Sequence, residues 1–136
     1  MKAYFGRRYL VSASHRLHTP ALTAQQNRAV YGKCNNAHGH GHNYVVEVLV
    51  GGAVDRETGI VVDLVALDRT VGECILDRFD HANLNLDPLF ADRVPTTENF
   101  CKAIFDLLCD ALPGGELELV RVEETENNFF ECSARG

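Results

Sequence analysis

Alternation of apolar and polar residues dominates the two ends of this chain, and helical periodicity fills its middle. Tyr9, Val11, Ala13 and His15 share one parity, so residues 4–16 predict a strand ending on a histidine, because successive strand side chains point to opposite faces. Residues 17–34 are mixed and polar, broken by Pro20 and Gly32, and predict a long loop with some local turn structure. Loops of that length inside compact domains are often functional. Alternation resumes from His40 to Val50, where Tyr44, Val46, Val48 and Val50 continue the parity of His40 and His42. Gly51-Gly52 and Asp55 to Gly59 then predict a turn, with Ile60-Val61-Val62 returning as the hairpin partner.

Asp63 stands at a helix N-cap position, and Leu64, Leu67, Val71, Ile75 and Phe79 follow at helical spacing, predicting an amphipathic helix over 64–79. A second helix starts near Thr96-Thr97, just after Pro95. Phe100, Ile104, Leu107, Leu108 and Ala111 line its apolar face, and Pro113-Gly114-Gly115 ends it. Alternation from Glu116 to Glu124 predicts another strand, which Asn127-Asn128 turns toward Phe129-Phe130. The order is strand, long loop, hairpin, helix, helix, hairpin, an α+β arrangement with no internal repeat.

At 136 residues and 46% hydrophobic content, residues 1–136 make one domain with one core. No apolar run reaches the roughly 20 residues that span a bilayer, and the first residues lack a signal-peptide core. Five cysteines, odd in number and without a CxxC pair, argue for a reducing cytoplasm. The formal charge of −6 argues against general nucleic-acid binding. An anionic substrate therefore needs a local basic patch, for which Arg16, Arg28 and Lys33 are the candidates.

The chemistry concentrates in His38-Gly39-His40-Gly41-His42. Alternate histidines in a strand share a face, and the glycines between them let the backbone approach whatever the imidazoles hold. A catalytic zinc takes three protein ligands and leaves a position open. The outermost two of these histidines lie roughly 13 Å apart at the strand rise, so only adjacent pairs can share one ion. Spacing leaves open whether the pair is His38/His40 or His40/His42. His15, at the end of the first strand, is the best-placed third ligand, with His18 and His81 competing. Cys34 differs from the other cysteines in sitting in a polar Lys33-Cys34-Asn35-Asn36 loop, where a metal and Lys33 would lower its pKa. Asp80 can orient the neighbouring His81 as a proton shuttle. Glu124, at a strand end, can bind an N–C–N edge through two hydrogen bonds.

These residues resemble the 6-pyruvoyl-tetrahydropterin synthase and 6-carboxytetrahydropterin synthase family. The resemblance runs through Ser12-Ala13-Ser14-His15-Arg16-Leu17, Tyr31-Gly32-Lys33-Cys34-Asn35-Asn36, Gly39-His40-Gly41-His42-Asn43-Tyr44, Asp80-His81-Ala82-Asn83-Leu84, Pro95-Thr96-Thr97-Glu98-Asn99 and Glu124-Thr125-Glu126-Asn127-Asn128. It implies the tunnelling fold: a four-stranded antiparallel sheet with two helices on one face, three subunits closing a β-barrel, and trimers stacking into a homohexamer. It implies one Zn2+ per subunit on His15, His40 and His42, Cys34 as proton acceptor, Asp80 and His81 as relay, and Glu124, Thr96 and Thr97 at the pterin ring. The implied substrate is 7,8-dihydroneopterin triphosphate, a small molecule, with no nucleic-acid or membrane partner.

Cys-Asn-Asn and the five residues between Cys34 and His40 resemble the pyruvoyl branch, which eliminates triphosphate; the carboxy branch has a shorter spacing and also releases acetaldehyde. Ala37-His38 departs from the usual pyruvoyl-type Pro-Asn and brings an extra imidazole to the loop. The pyruvoyl product is the expectation and the carboxy product the alternative, with the biopterin or the queuosine (deazapurine) pathway left open. A cupin-like oxygenase, from His40-x-His42 and Glu47, conflicts with the opposite parity of Glu47. A non-catalytic metal-binding module conflicts with the joint presence of Cys34, Asp80, His81 and Glu124.

Overall fold

The computed structural model describes residues 1–134. Two 14-residue strands, β1 (Lys2–His15) and β2 (His40–Ala53), pair antiparallel along their whole length, from Lys2 opposite Ala53 to His15 opposite His40. β4 (Glu116–Glu123) pairs with β2, and β5 (Phe129–Ser133) with β4. The expected four-stranded sheet gains a fifth, two-residue strand: β3 (Ala82–Asn83) lies parallel to Ala13-Ser14, giving the order β3-β1-β2-β4-β5.

One face of the sheet carries the core. Val11 and Ala13 from β1, Tyr44, Val46, Val48 and Val50 from β2, and Val120 and Val122 from β4 are buried. They are covered by α2 (Leu64–Val71), which turns through a π segment (Gly72–Leu76) into α3 (Asp77–Phe79), and by α4 (Thr97–Cys109). Leu67, Val71, Ile75 and Phe79 from the first of these and Phe100, Ile104 and Leu108 from the second are fully buried. The helix expected over 64–79 is thus present as a helix with one wide turn. Its N-cap is Asp63, whose carboxylate accepts from Ala66 N at 3.1 Å.

Two expectations are corrected. Residues 17–34 are not a long loop: Ala24–Tyr31 form helix α1, followed by a 3₁₀ turn over Gly32–Asn35. Thr23 and Gln26 close a capping box at its start. Asn27 is the helix's buried residue, and its amide donates to the carbonyls of Thr19, Leu22 and Thr23 at 3.0–3.2 Å. A helix whose anchor is an asparagine leaves no apolar stripe to read. Likewise, Ile60-Val61-Val62 form no strand. Both long edges of β2 are taken, by β1 and β4, and Asp55 instead closes the local loop by accepting from Glu57 N, Thr58 N and Gly59 N.

No helix among the described residues is long and apolar enough to cross a membrane.

Candidate functional site

The register of β1 against β2 builds the site. His15 lies opposite His40 and Ala13 opposite His42, so the three histidines occupy neighbouring positions on the core face, just beyond the buried row. Ring centroids are 5.0 Å apart for His15–His40 and His15–His42, and 4.7 Å for His40–His42. His38 falls outside this group. The strand begins at His40, and His38 is exposed in the preceding turn, its N–H donating to Asn36 Oδ1. Gly39 makes that turn possible: its φ is +73°, and a Cβ there would lie 2.8 Å from the His15 carbonyl oxygen.

The donor set fits a metal. His15 Nε2 and His40 Nε2 stand 3.2 Å apart, close to the about 3.3 Å that two nitrogens on a tetrahedral zinc would span. His15 Nδ1 donates to the Pro95 carbonyl at 2.9 Å, which leaves Nε2 with its lone pair free. His42 Nε2 is buried with no hydrogen-bond partner, the state expected of a nitrogen whose partner is an ion. Ligand atoms of His15, Cys34 and His40, and of His15, His42 and Glu124, lie within 4.8 Å of one another in each group. Burial pushes His15 and His42 below the ordinary imidazole value, which keeps both rings neutral as ligation requires.

The two competing ligands are otherwise engaged. His18 Nδ1 is hydrogen-bonded to the Asn35 amide at 3.0 Å. His81 is 82% exposed and pairs with Asp80 Oδ2 at 3.1 Å. Cys34 is fixed by its own carbonyl, which accepts from Leu17 N at 2.7 Å, and by Asn35, whose amide donates to Leu17 O at 2.7 Å. Its thiol departs from expectation: burial, then the Glu124 carboxylate, push its pKa up. With no metal beside it, a partly buried thiol loses from desolvation, and Lys33 is not among the groups that shift it.

Glu124 follows the last residue of β4. Burial pushes its pKa up, but the Thr97 hydroxyl, the Asn128 amide and the nearby His42 and His15 outweigh this and hold the carboxyl below its ordinary value. Thr97 Oγ1 donates to Oε2, and Asn128 Nδ2 to Oε1 at 3.3 Å. Thr96 caps α4 instead, accepting from Asn99 N at 3.1 Å. Tyr44, unassigned by sequence although it shares the parity of His42, lies fully buried with its hydroxyl 3.3 Å from His15 Nδ1. The Pro95 carbonyl was also missed, and a backbone acceptor leaves no residue-type signal.

Cys34, His40 and His42 open into a cleft of about 880 Å³. His81 lines an adjoining depression of about 450 Å³, separated from the first by Gly41 and His42, which border both. Asp80 Oδ1 accepts from Ser12 N at 2.9 Å, the chief reason its carboxyl sits below the ordinary value. His81 alone among the described non-glycine residues has positive φ, at 62°, a conformation that costs energy and marks functional positions.

A profile of the family described as 6-pyruvoyl tetrahydropterin synthase matches residues 6–135. The chain belongs to this family. It is 48% identical over 129 residues to human 6-pyruvoyl tetrahydrobiopterin synthase, covering 94% of this chain and 89% of the relative. The solved structure of Caenorhabditis elegans 6-pyruvoyl tetrahydropterin synthase superposes with a TM-score of 0.93 at 38% identity, covering 98% of this chain and 96% of that one. A putative 6-carboxy-5,6,7,8-tetrahydropterin synthase from Archaeoglobus fulgidus is 39% identical over a shorter span, 99 residues, covering 73% of this chain and 77% of the relative. The sheet-and-helix architecture described above is thus shared with a solved member of the family.

Proposed function

We propose that the chain is a zinc-dependent lyase that converts 7,8-dihydroneopterin triphosphate to 6-pyruvoyl-tetrahydropterin with elimination of triphosphate. The observation that carries this reading is the meeting of His15, His40 and His42 beside Cys34 and Glu124, in a chain 48% identical to a 6-pyruvoyl tetrahydrobiopterin synthase. His15, His40 and His42 would hold Zn2+, which when bound polarises side-chain hydroxyls and favours the Cys34 thiolate. Cys34 takes a proton from the side-chain carbon. The ionised Glu124, oriented by Thr97 and Asn128, accepts two N–H bonds from the pterin N–C–N edge. Asp80 and His81 return a proton. Thr96 acts near the ring by shaping the start of α4.

The single domain works as an oligomer in this reading, a trimer or hexamer in the cytoplasm. Support comes from the sheet itself. β3 covers only Ala13 and Ser14 of β1, so the stretch of that edge before Ser12 has no strand beside it among the described residues, and β5 is the last strand in the order on the other side. Unpaired edges invite strand addition.

Incubating zinc-loaded protein anaerobically with 7,8-dihydroneopterin triphosphate and identifying products by mass spectrometry tests the reaction. Pyruvoyl-tetrahydropterin with triphosphate is expected. Carboxy-tetrahydropterin with acetaldehyde would assign the chain to the chemistry named for the archaeal relative, and no turnover would return it to a metal-binding module.

A further inference from the structure

Cys34 is the one cysteine of the site, and among the other four Cys101 and Cys132 meet. Cys101 lies one turn into α4 and is fully buried, while Cys132 lies on β5 and is partly buried. Strand register brings the two together. Cys132 stands opposite Val120 of β4 and shares the parity of Phe130, so both pack against the core beneath the helices. The Cys101 sulfur sits over this spot, 3.3 Å from the Val120 carbonyl oxygen and 3.6 Å from that of Phe130. Its thiol is also hydrogen-bonded to that of Cys132. Two sulfurs in contact across packed elements need only small side-chain rotations to reach the bond length of about 2 Å. Cys109, by contrast, is exposed at the end of α4, its thiol donating to the Asp106 carbonyl at 3.4 Å.

The two thiols differ in access. Cys132 borders a surface cleft of about 480 Å³, with Lys102 and Phe105 of α4 on one side and Glu131 on the other. Cys101 is closed off from solvent. Burial, and then the neighbouring Cys132, push the Cys101 thiol up, which leaves it a poor first attacker. A thiol open to a cleft, touching one that is sealed, is the arrangement of an attacking and a resolving cysteine. Strand addition at the outer edge of β5 uses backbone groups and leaves the Cys132 side chain on the helix-covered face.

We propose that Cys132 is a modification site for small disulfides, and that Cys101 resolves the adduct into a reversible Cys101–Cys132 crosslink between α4 and β5. In the first step the Cys132 sulfur gives up its proton and attacks one sulfur of the incoming disulfide. That S–S bond breaks, one small thiol leaves with the proton, and a mixed disulfide remains on Cys132. In the second step the Cys101 sulfur attacks the Cys132 sulfur, and the second small thiol leaves with the Cys101 proton. Two cysteine thiols are oxidised and one external disulfide is reduced to two thiols. The crosslink closes a loop of roughly 30 residues. It fastens the helix that begins at Thr97 to the hairpin that carries Glu124, whose carboxylate Thr97 orients. Oxidation therefore braces two elements that frame the Glu124 end of the site, in a chain whose thiols are otherwise free.

The test incubates zinc-loaded protein with glutathione disulfide, quenches in acid, alkylates, and maps the digested peptides by mass spectrometry. A linked peptide pair joining Cys101 and Cys132 is expected, and dithiothreitol removes it. The oxidised protein melts about 10 °C higher than the reduced protein, as a loop of this length predicts. In Cys101→Ala the reaction stops at a glutathione adduct on Cys132. Cys132→Ser leaves Cys101 unmodified and shows no rise in melting temperature, which serves equally should the buried Cys101→Ala not fold. Cys109→Ser keeps both the link and the rise. Both thiols still free after Cys109 has reacted would overturn the modification site. A Cys132 adduct that persists in the unmodified protein, or a link from Cys132 to any other cysteine, would overturn the resolving role of Cys101. A link formed with no change in melting temperature would overturn the brace.

Discussion

At the residue scale, the site depends on which atoms are already occupied. His15 gives Nδ1 to the Pro95 carbonyl and keeps Nε2 for a ligand, while Cys34 is anchored through its backbone and leaves its thiol free. Cys34→Ala should therefore retain stoichiometric zinc while lowering kcat by at least about a hundredfold, the usual worth of a general base. Metal analysis and steady-state kinetics on the same sample check this, and a fully active variant would remove the thiol from the mechanism. The histidines also predict a pH response. Burial holds His15 and His42 below their ordinary value of 6.5, so the unfolded chain binds those protons more readily than the fold does. Stability from the neutral rings is fully present above that value and is lost as pH falls toward the folded-state values. Metal-free protein should melt at a lower temperature at pH 5.5 than at pH 7.5, by calorimetry, and His42→Gln should flatten the difference. Gly39→Ala forces a Cβ against the His15 carbonyl at positive φ, a strain of about 1–3 kcal/mol. Its melting temperature and zinc retention should both fall.

At the element scale, legibility followed burial. β1, β2, β4 and α4 place apolar side chains on one face, so a period of two or of 3.6 appears directly in the residues. The parity of His40 and His42 with Tyr44 was readable for the same reason. What parity could not reveal was where β2 begins. That start, at His40, excludes His38 from the face and leaves His40 and His42 as the two of the three that share it. Helix α1 was invisible because polar bonds, not apolar contacts, hold it, although Thr23-x-x-Gln26 was a capping signal in plain view. Ile60-Val61-Val62 misled in the opposite direction: a β-branched run needs a vacant strand edge, and β2 has none to offer it. Thr96→Ala removes the cap on the helix that presents Thr97 and should cost about 1 kcal/mol of stability in urea titration. Thr97→Val should instead leave stability closer to unchanged and raise KM, since its hydroxyl orients Glu124.

At the scale of the whole molecule, the exposed sheet face carries a row of alternating charge. Arg8 lies opposite Glu47, Glu47 opposite Arg121, and Arg121 opposite Glu131, one residue from each of the four longer strands. Neighbours in this row approach to 3.6–3.9 Å. It ends on a cation at the β1 edge and an anion at the β5 edge, which makes the two edges of different copies complementary. Arg8→Glu should shift the species seen by analytical ultracentrifugation toward smaller mass, and an unchanged mass would remove this row from the interface. The exposed His81, in a depression separate from the Cys34 cleft, gives the proposed assembly a second test. Subunits carrying Cys34→Ala and His81→Ala, inactive separately, should recover on the order of a quarter of full activity when mixed and reassembled in a cyclic oligomer. No recovery would mean that thiol and relay act within one chain.

The pairing of His15 with His40 reaches beyond coordination. A strand shifted by one residue against its neighbour moves every side chain to the opposite face. Were β2 to slip in this way, His40 and His42 would turn to the outer surface while His15 stayed inside, and the donor set would be split by the full thickness of the sheet. With zinc held as proposed, metal capture after refolding would therefore work as a proofreading signal: native secondary structure without zinc uptake would mark the misregistered fraction.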